Sequence, residues 1–222
     1  MLLQTKALEI VRAASKDRTR QCICGIRIEG DGTTIATDGH ILAKFTPTVN
    51  PDGKEYPAIE GVNADDGESK LQPFTLPTEA VAILLKALPK KTPRFLPILG
   101  NVALDVEQTN GNGCAVAAIT DLENPQVFKL RKVSDDFPEY QNVFPKGKPK
   151  LVIGLMMPAV ENLLSTLRAT GVDEFVVELR DETGPALIKA RTKDGDGLVT
   201  ALIMPARVDN PDPWHDEEKP TE

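Results

Sequence analysis

The sequence predicts an α+β protein built from one unit used three times, a helix packed on antiparallel strands. Three observations lead there. Apolar residues recur at helical spacing in three separate stretches, each is followed by segments of alternating apolar and polar residues, and Gly, Asp and Asn cluster in the gaps between those segments.

The first repeat opens with LLQTKALEIVRAAS, which predicts a helix with Leu3, Ala7, Ile10, Val11 and Ala14 on one face and Thr5, Glu9, Arg12 and Lys16 opposite. Strands CICGIRIEG and TTIATDGHILAKF follow, joined by a tight turn at Gly30-Asp31-Gly32. Residues 46–72 are rich in Pro, Gly, Asp and Glu and read as a long exposed insertion. The second repeat starts at PFTLPTEAVAILLKAL, a short strand leading into a helix with Val81, Leu84, Leu85 and Leu88 on one face, stopped by Pro89. Strands NVALDVEQ and GCAVAAITD are joined by Thr109-Asn110-Gly111-Asn112, an Asn-Gly hairpin signal, and VFKLRKV closes the unit. In the third repeat the strand KLVIGL leads into MPAVENLLSTLRATG, with Pro158 near the first turn, Gly171 as the stop and Val160, Leu163, Leu164 and Leu167 as the buried stripe. Strands EFVVELRD, ALIKARTKD and GLVTALIMPAR complete it, the last two joined by Asp194-Gly195-Asp196-Gly197.

Counting modules, residues 1–145 form a complete domain of two repeats and residues 146–208 half a domain. Residues 209–222 read as an acidic disordered tail, in which Trp214 lies among prolines and acids and has docking as its alternative role.

With 222 residues and 41% hydrophobic content the chain can bury a sizeable core. Three cysteines, no apolar run of membrane-spanning length and no signal-peptide pattern at the N-terminus lead to an expected place in the cytoplasm, without disulfides and with no membrane partner. The net charge of −7 argues at face value against a partner as acidic as nucleic acid. Its distribution changes that reading, leaving open a basic surface on a mildly acidic body beside the plain alternative of solvated helix faces. The tail holds Asp209, Asp212, Asp216, Glu217, Glu218 and Glu222 against Lys219 alone, so it carries −5 and leaves −2 for the rest. Basic residues cluster on or just after the first two predicted helices, as Lys6, Arg12, Lys16, Arg18 and Arg20, then as Lys86, Lys90, Lys91 and Arg94.

Other chemistries fit less well. His40 beside Asp38 is half of an acid–base pair, but the only other histidine is His215 in the tail and no Ser or Cys nucleophile motif stands near, so no enzyme is expected. Cys22, Cys24 and Cys114 lack a second close pair and a nearby His, and read as buried strand cysteines rather than a metal site. Asp194-Gly195-Asp196-Gly197 lacks the third acid and final Glu of a calcium loop and reads as a hairpin turn. No cofactor or metal is expected.

Three separated signatures occur together: ATDGHILA at 36–43, DDFPEYQNVFP at 135–145 and ALIMPARV at 201–208. In this order, on a repeat of helix plus strands, they resemble the bacterial DNA sliding clamp, the processivity factor of the replicative polymerase. That family carries a TDGHRLA loop, a linker like FPDYRRVLP and a final strand like V-M-P-M-R-L. The resemblance covers most of residues 1–208 and implies the DNA-clamp fold, in which helices line the hole of a ring and strands form its outer surface.

It also implies two sites. The loop, the linker and the last strand converge in the family on an apolar pocket that receives a short Gln-Leu-x-Leu-Phe-like peptide from polymerases, the clamp loader and repair proteins. Carried over, the lining is Ile23, Thr37, Gly39, His40, Leu42, Pro138, Val143, Leu202, Met204 and Pro205. Ile41 stands where the family has Arg, and Gln141-Asn142 where it has Arg-Arg, which leaves the apolar half of the pocket as the part that matches. The DNA-facing candidates are Lys6, Arg12, Lys16, Arg18, Arg20, Lys86, Lys90, Lys91, Arg94 and Arg168.

The expected function is therefore that of a non-enzymatic clamp in DNA replication. It surrounds duplex DNA without sequence preference and tethers DNA polymerase and clamp-loader peptides. Family rings contain twelve repeats, so three per chain imply a homotetramer. The alternative is an adaptor or decoy that binds clamp-binding peptides without encircling DNA.

Overall fold

The first two repeats exchange their leading strands. In the computed structural model, which describes residues 1–48, 52–64, 71–89, 96–106, 113–145, 147 and 149–206, the chain divides into two compact units, Met1–Val143 and Phe144–Glu222. The first unit runs β1 (Leu2–Gln4), α1 (Thr5–Leu8), β2 (Gly25–Ile28), β3 (Thr34–Thr37), β4 (Leu42–Phe45), β5 (Phe74–Pro77), α2 (Thr78–Ala87), β6 (Asn101–Val106), β7 (Cys114–Ile119) and β8 (Gln126–Arg131). Its two antiparallel sheets have the orders β4-β3-β2-β5 and β1-β6-β7-β8. Thus β1, from the first repeat, pairs with β6 of the second, Leu3 opposite Val102. Reciprocally β5, from the second repeat, pairs with β2 of the first, Ile26 opposite Leu76 and Ile28 opposite Phe74.

That exchange joins the repeats around one core. Leu3, Ile26, Ile28, Phe74, Leu76, Val102 and Leu104 from the sheets pack with Ala7 and Leu8 of α1 and Ala80, Val81 and Leu84 of α2. Leu85 and Leu88, expected on the buried face of α2, are partly buried against this core.

The first helix differs from its expectation. The periodicity predicts one helix from about Leu3, whereas α1 is a single turn that tightens into a 3-10 segment over Glu9–Ala13. Two contacts account for this. Leu2 and Leu3 are drawn into the β6 ladder, and the buried Thr34 hydroxyl donates to the Ala7 carbonyl at 2.9 Å, the oxygen an α-helix would offer to the Val11 amide.

The stretch read as an exposed insertion is not exposed throughout. Tyr56 is buried with Leu2, Ala103 and Ala118, and Ile59, Val62 and Ala64 pack beside it. Its hydroxyl reaches the carbonyls of Asn101 and Ala118, each at 3.3 Å. The outward face of β1, β6 and β7 is apolar there, and burying it requires a cover. Cys22 and Cys24 also differ from expectation: they occupy the 3-10 turn Gln21–Ile23 and its end rather than a strand, and all three cysteines are free and only partly buried.

The second unit holds α3 (Met157–Ala169), β9 (Phe175–Glu178), β10 (Ala186–Arg191) and β11 (Leu198–Ile203), with the sheet order β11-β10-β9. Gly171, at φ +73°, ends α3, and the Val172 amide reaches back to the Leu167 carbonyl at 3.0 Å. Val160, Leu163 and Leu167 pack on Ala186, Ile188, Ala190 and Ile203. The segment KLVIGL, expected as a strand, makes a single bridge, Gly154 opposite Ala206. Asp194–Gly197 is a hairpin turn: Gly195 has φ +81° and the Asp194 carboxylate accepts the Asp196 amide at 3.2 Å.

Candidate functional site

The loop Thr37-Asp38-Gly39-His40-Ile41 is built by its own side chains. Thr37 and Leu42 close the β3–β4 ladder, leaving four residues to reverse the chain. The Asp38 carboxylate accepts the amides of His40 at 2.8 Å and Ile41 at 2.9 Å. These bonds, with the Ile41 amide foremost, hold its carboxyl below the usual value. The Thr37 hydroxyl donates to the Ile41 carbonyl at 2.6 Å and accepts the Gly39 amide at 3.1 Å. Gly39 completes the reversal at φ +94°, which an L side chain resists. The interruption of the strand is thus an Asx turn inside a hairpin, with His40 and Ile41 exposed at its tip.

A second loop supports the first. The Asp17 carboxylate accepts from the Thr19 amide and hydroxyl at 3.0 and 2.8 Å, and the Arg20 amide bonds the Asp17 carbonyl at 3.0 Å. Arg20 Nη1 then donates to the Asp38 carbonyl at 3.1 Å. The Ser15 amide is shared between the carbonyls of Ile23 and Thr37, at 3.0 and 3.2 Å. Ile23 is itself buried, so it supports the loop from behind rather than presenting a wall.

The other lining candidates of the first unit are Leu42, half-buried, and Pro138 and Val143, both exposed. Val143 belongs to a 3-10 turn, Gln141–Val143. In the linker Phe137 and Tyr140 meet edge to face with centroids 6.4 Å apart. Burial first, then the Glu29 and Asp31 carboxylates, raise the Tyr140 phenol above its ordinary value, which puts it beside the β2–β3 turn, at the other end of β3 from the Thr37–Ile41 loop. In the second unit, Leu202 and Met204 are exposed and Pro205 is half-buried.

Among the basic candidates, Lys6, Lys16, Lys86 and Arg168 are exposed. Arg12 pairs with Glu9 at 2.9 Å and Arg18 with Glu79 at 3.4 Å, both at the surface. Lys90, Lys91 and Arg94, like the acidic tail 209–222, lie outside the described residues. What sequence reasoning missed is the second role of Arg20. Its charge suggested phosphate, and nothing in the spacing marked it as the brace of a loop eighteen residues away.

The fold is the DNA-clamp fold, and solved structures of DNA sliding clamps share it. The DNA polymerase III beta chain from Streptococcus pneumoniae superposes with a TM-score of 0.62 at 17% identity, over 93% of this chain and 49% of that one. A DNA polymerase sliding clamp from Pseudomonas aeruginosa, solved with a ligand, gives 0.61 at 18% identity over 92% and 50%. A putative DNA polymerase III beta subunit from Eubacterium rectale gives 0.61 at 10% identity over 92% and 50%. The chain therefore spans about half the length of the solved clamps it matches. No family model matches the sequence, and no curated protein matches it. No helix among the described residues is long and apolar enough to cross a membrane.

Proposed function

We propose that this chain is a non-enzymatic sliding-clamp subunit: copies of it surround duplex DNA without reading its sequence and tether polymerase and clamp-loader peptides at an apolar pocket. The observation that carries this reading is the DNA-clamp fold over more than nine tenths of the chain. The braced Thr37–Ile41 loop supports this reading, since it offers a fixed backbone next to the half-buried Leu42, the kind of surface a bound peptide uses. The candidate peptide-contacting residues are Thr37, Gly39, His40, Leu42, Pro138 and Val143 in the first unit and, separately, Leu202, Met204 and Pro205 in the second. Four copies, about four times 24.1 kDa, supply the twelve repeats of a ring.

Topology provides the test. A protein that only touches phosphates loses its grip steeply as salt rises, because each neutralised phosphate gives back its counterions. A closed ring is retained by its shape. After loading on nicked circular DNA at low salt, the protein should stay bound at high salt and leave when the circle is cut. Equal loss from circle and line would overturn the ring and favour an adaptor that binds peptides without encircling DNA.

A further inference from the structure

The three repeats can be superposed by register, and the third has an open edge where the other two are covered. β2, β6 and β9 each follow the helix of their repeat and pair on one side with the next strand. The other side of β2 carries β5, and that of β6 carries β1. Among the described residues β9 has nothing there. The exposure of equivalent side chains follows. Ile26, Ile28, Val102 and Leu104 face the core at 0% exposure, whereas Phe175 and Val177, on the core face opposite Ala190 and Ile188, are 41% and 47% exposed. In α2 Ala80, Val81 and Leu84 are buried, while their counterparts in α3, Ala159, Val160 and Leu163, are exposed or half-exposed.

The leading segment of the third repeat shows the complementary defect. Counting back from the helix starts at Thr5, Thr78 and Met157, Leu155 corresponds to Leu3 and Leu76. Those two are 1% and 0% exposed, and Leu155 is 43% exposed. Its backbone nevertheless stands where that of β5 stands. The Thr75 carbonyl of β5 accepts the Val133 amide at 2.9 Å, just beyond β8, and the Gly154 carbonyl accepts the Ala206 amide at 2.9 Å, just beyond β11. One side of the segment is anchored as in the second repeat, and the side that β5 gives to β2 is free.

We propose that two copies complete each other through this unit. Residues 153–155 of each copy lie antiparallel on β9 of the second copy, Leu155 against Phe175 and Ile153 against Val177. The register is that of Leu76 on Ile26 and Phe74 on Ile28, and of Leu3 on Val102. The donor segment and the acceptor edge belong to the same chain, so one twofold axis satisfies both edges at once. It also places Phe175, Val177 and the exposed flank of α3 inside a core like that of the first unit. This pairing is the joint within the four-copy assembly proposed above, but it stands on the repeat geometry alone and needs neither DNA nor peptide to be tested.

The experiment uses the full chain with Cys22, Cys24 and Cys114 replaced by Ser, carrying Leu155→Cys with Phe175→Cys. Opposed residues of a hydrogen-bonded antiparallel pair have Cα atoms about 5.5 Å apart, within disulfide reach. Oxidation should give a band of twice 24.1 kDa on a non-reducing denaturing gel. Leu155→Cys with Val177→Cys, a diagonal pair about 7–8 Å apart, should give at least about tenfold less. Independently, the unmodified chain should be at least dimeric by light scattering at tens of micromolar. Phe175→Glu should raise the dissociation constant about a hundredfold or more, since it puts a charge in the seam, and Leu198→Glu, on the opposite face of the sheet, should change nothing. An unmodified chain that is monomeric overturns the proposal, including one whose β9 amides are protected by some other segment. So does a dimer that cross-links equally well in the offset register. Cross-linking with no retention on circular DNA would keep this seam and remove the ring.

Discussion

The Arg20 guanidinium and Gly39 are in mutual contact: Nη1 bonds the Asp38 carbonyl at 3.1 Å, and a Cβ on residue 39 would stand 2.7 Å from Nη2. Two constraints therefore meet at Gly39, a backbone with φ +94° and a neighbour that fills the space of a side chain.

They can be separated. Gly39→Ala should cost about 1–2 kcal/mol, mostly from the positive φ. Arg20→Ala should cost less, because it removes one exposed hydrogen bond. The double substitution should cost less than the sum of the two, since removing Arg20 relieves the clash but not the strain. Denaturant midpoints of the four proteins measure this; strict additivity would mean that the two residues do not share the loop.

Asp38 makes the loop sensitive to acid. Its folded value lies below the ordinary 3.8, held there by the Ile41 and His40 amides. A depressed carboxyl contributes order that is present above the unfolded value and lost as pH falls through the lower folded one. The amide resonances of His40 and Ile41 should therefore titrate together with a midpoint below 3.8, and Asp38→Asn should abolish the transition. A midpoint at or above that value would contradict the two bonds.

Tyr56 makes the opposite case at high pH. Burial pushes its phenol up to about 12, so the unfolded chain ionises first, and the stability it contributes is complete below 10 and lost as pH rises toward 12. Tyr56→Phe should cost about 1 kcal/mol for the bonds to Asn101 and Ala118, and should flatten stability between those values. Urea midpoints at pH 8 and 11 test both parts.

Tyr56 also marks the limit of what the sequence shows. Two of the three helical stripes were legible because apolar spacing is a local property, as at Val81 and Leu84 or Val160 and Leu163, whereas the first, from Leu3, ran a strand and a 3-10 segment together. The exchange of β1 and β5 was not, since the partners of Leu3 and Leu76 lie far along the chain and no local pattern names them. Tyr56 stands alone among Pro, Gly and acids, with no periodicity to announce that it covers Ala103 and Ala118. At the site the TDGH motif was legible as a motif, and Asp38 and Gly39 give it a physical reason. Arg20 was legible only as charge, because the bond it makes depends on the packing of two loops.

If the apolar pocket receives a peptide as proposed, Met204→Ala and Val143→Ala should each weaken binding of a Gln-Leu-x-Leu-Phe-like peptide by about 1 kcal/mol or more. Both side chains are about two thirds exposed, so stability should change by less than about 0.5 kcal/mol. Calorimetric titration with unchanged curves for both variants would place the peptide elsewhere.

The basic residues should not contribute equally to the grip on DNA. Each phosphate contact adds about 0.9 to the slope of log K against log salt, so a residue free to meet phosphate is recognised by the slope it removes. Arg168 is exposed on α3, whereas Arg20 already holds the Asp38 carbonyl and Arg18 pairs with Glu79. Arg168→Ala should therefore lower the slope on short linear duplex by about 0.9, and Arg20→Ala by clearly less. Glu79→Gln should act in the other direction, strengthening binding at low salt by releasing Arg18, because a surface ion pair of this kind holds its partner by only about 0–1 kcal/mol and yields readily to phosphate. Fluorescence anisotropy at four or five salt concentrations gives all three slopes. A larger loss from Arg20→Ala than from Arg168→Ala would mean that the guanidinium leaves the loop to meet DNA, and that loading and the Thr37–Ile41 loop are coupled through this side chain.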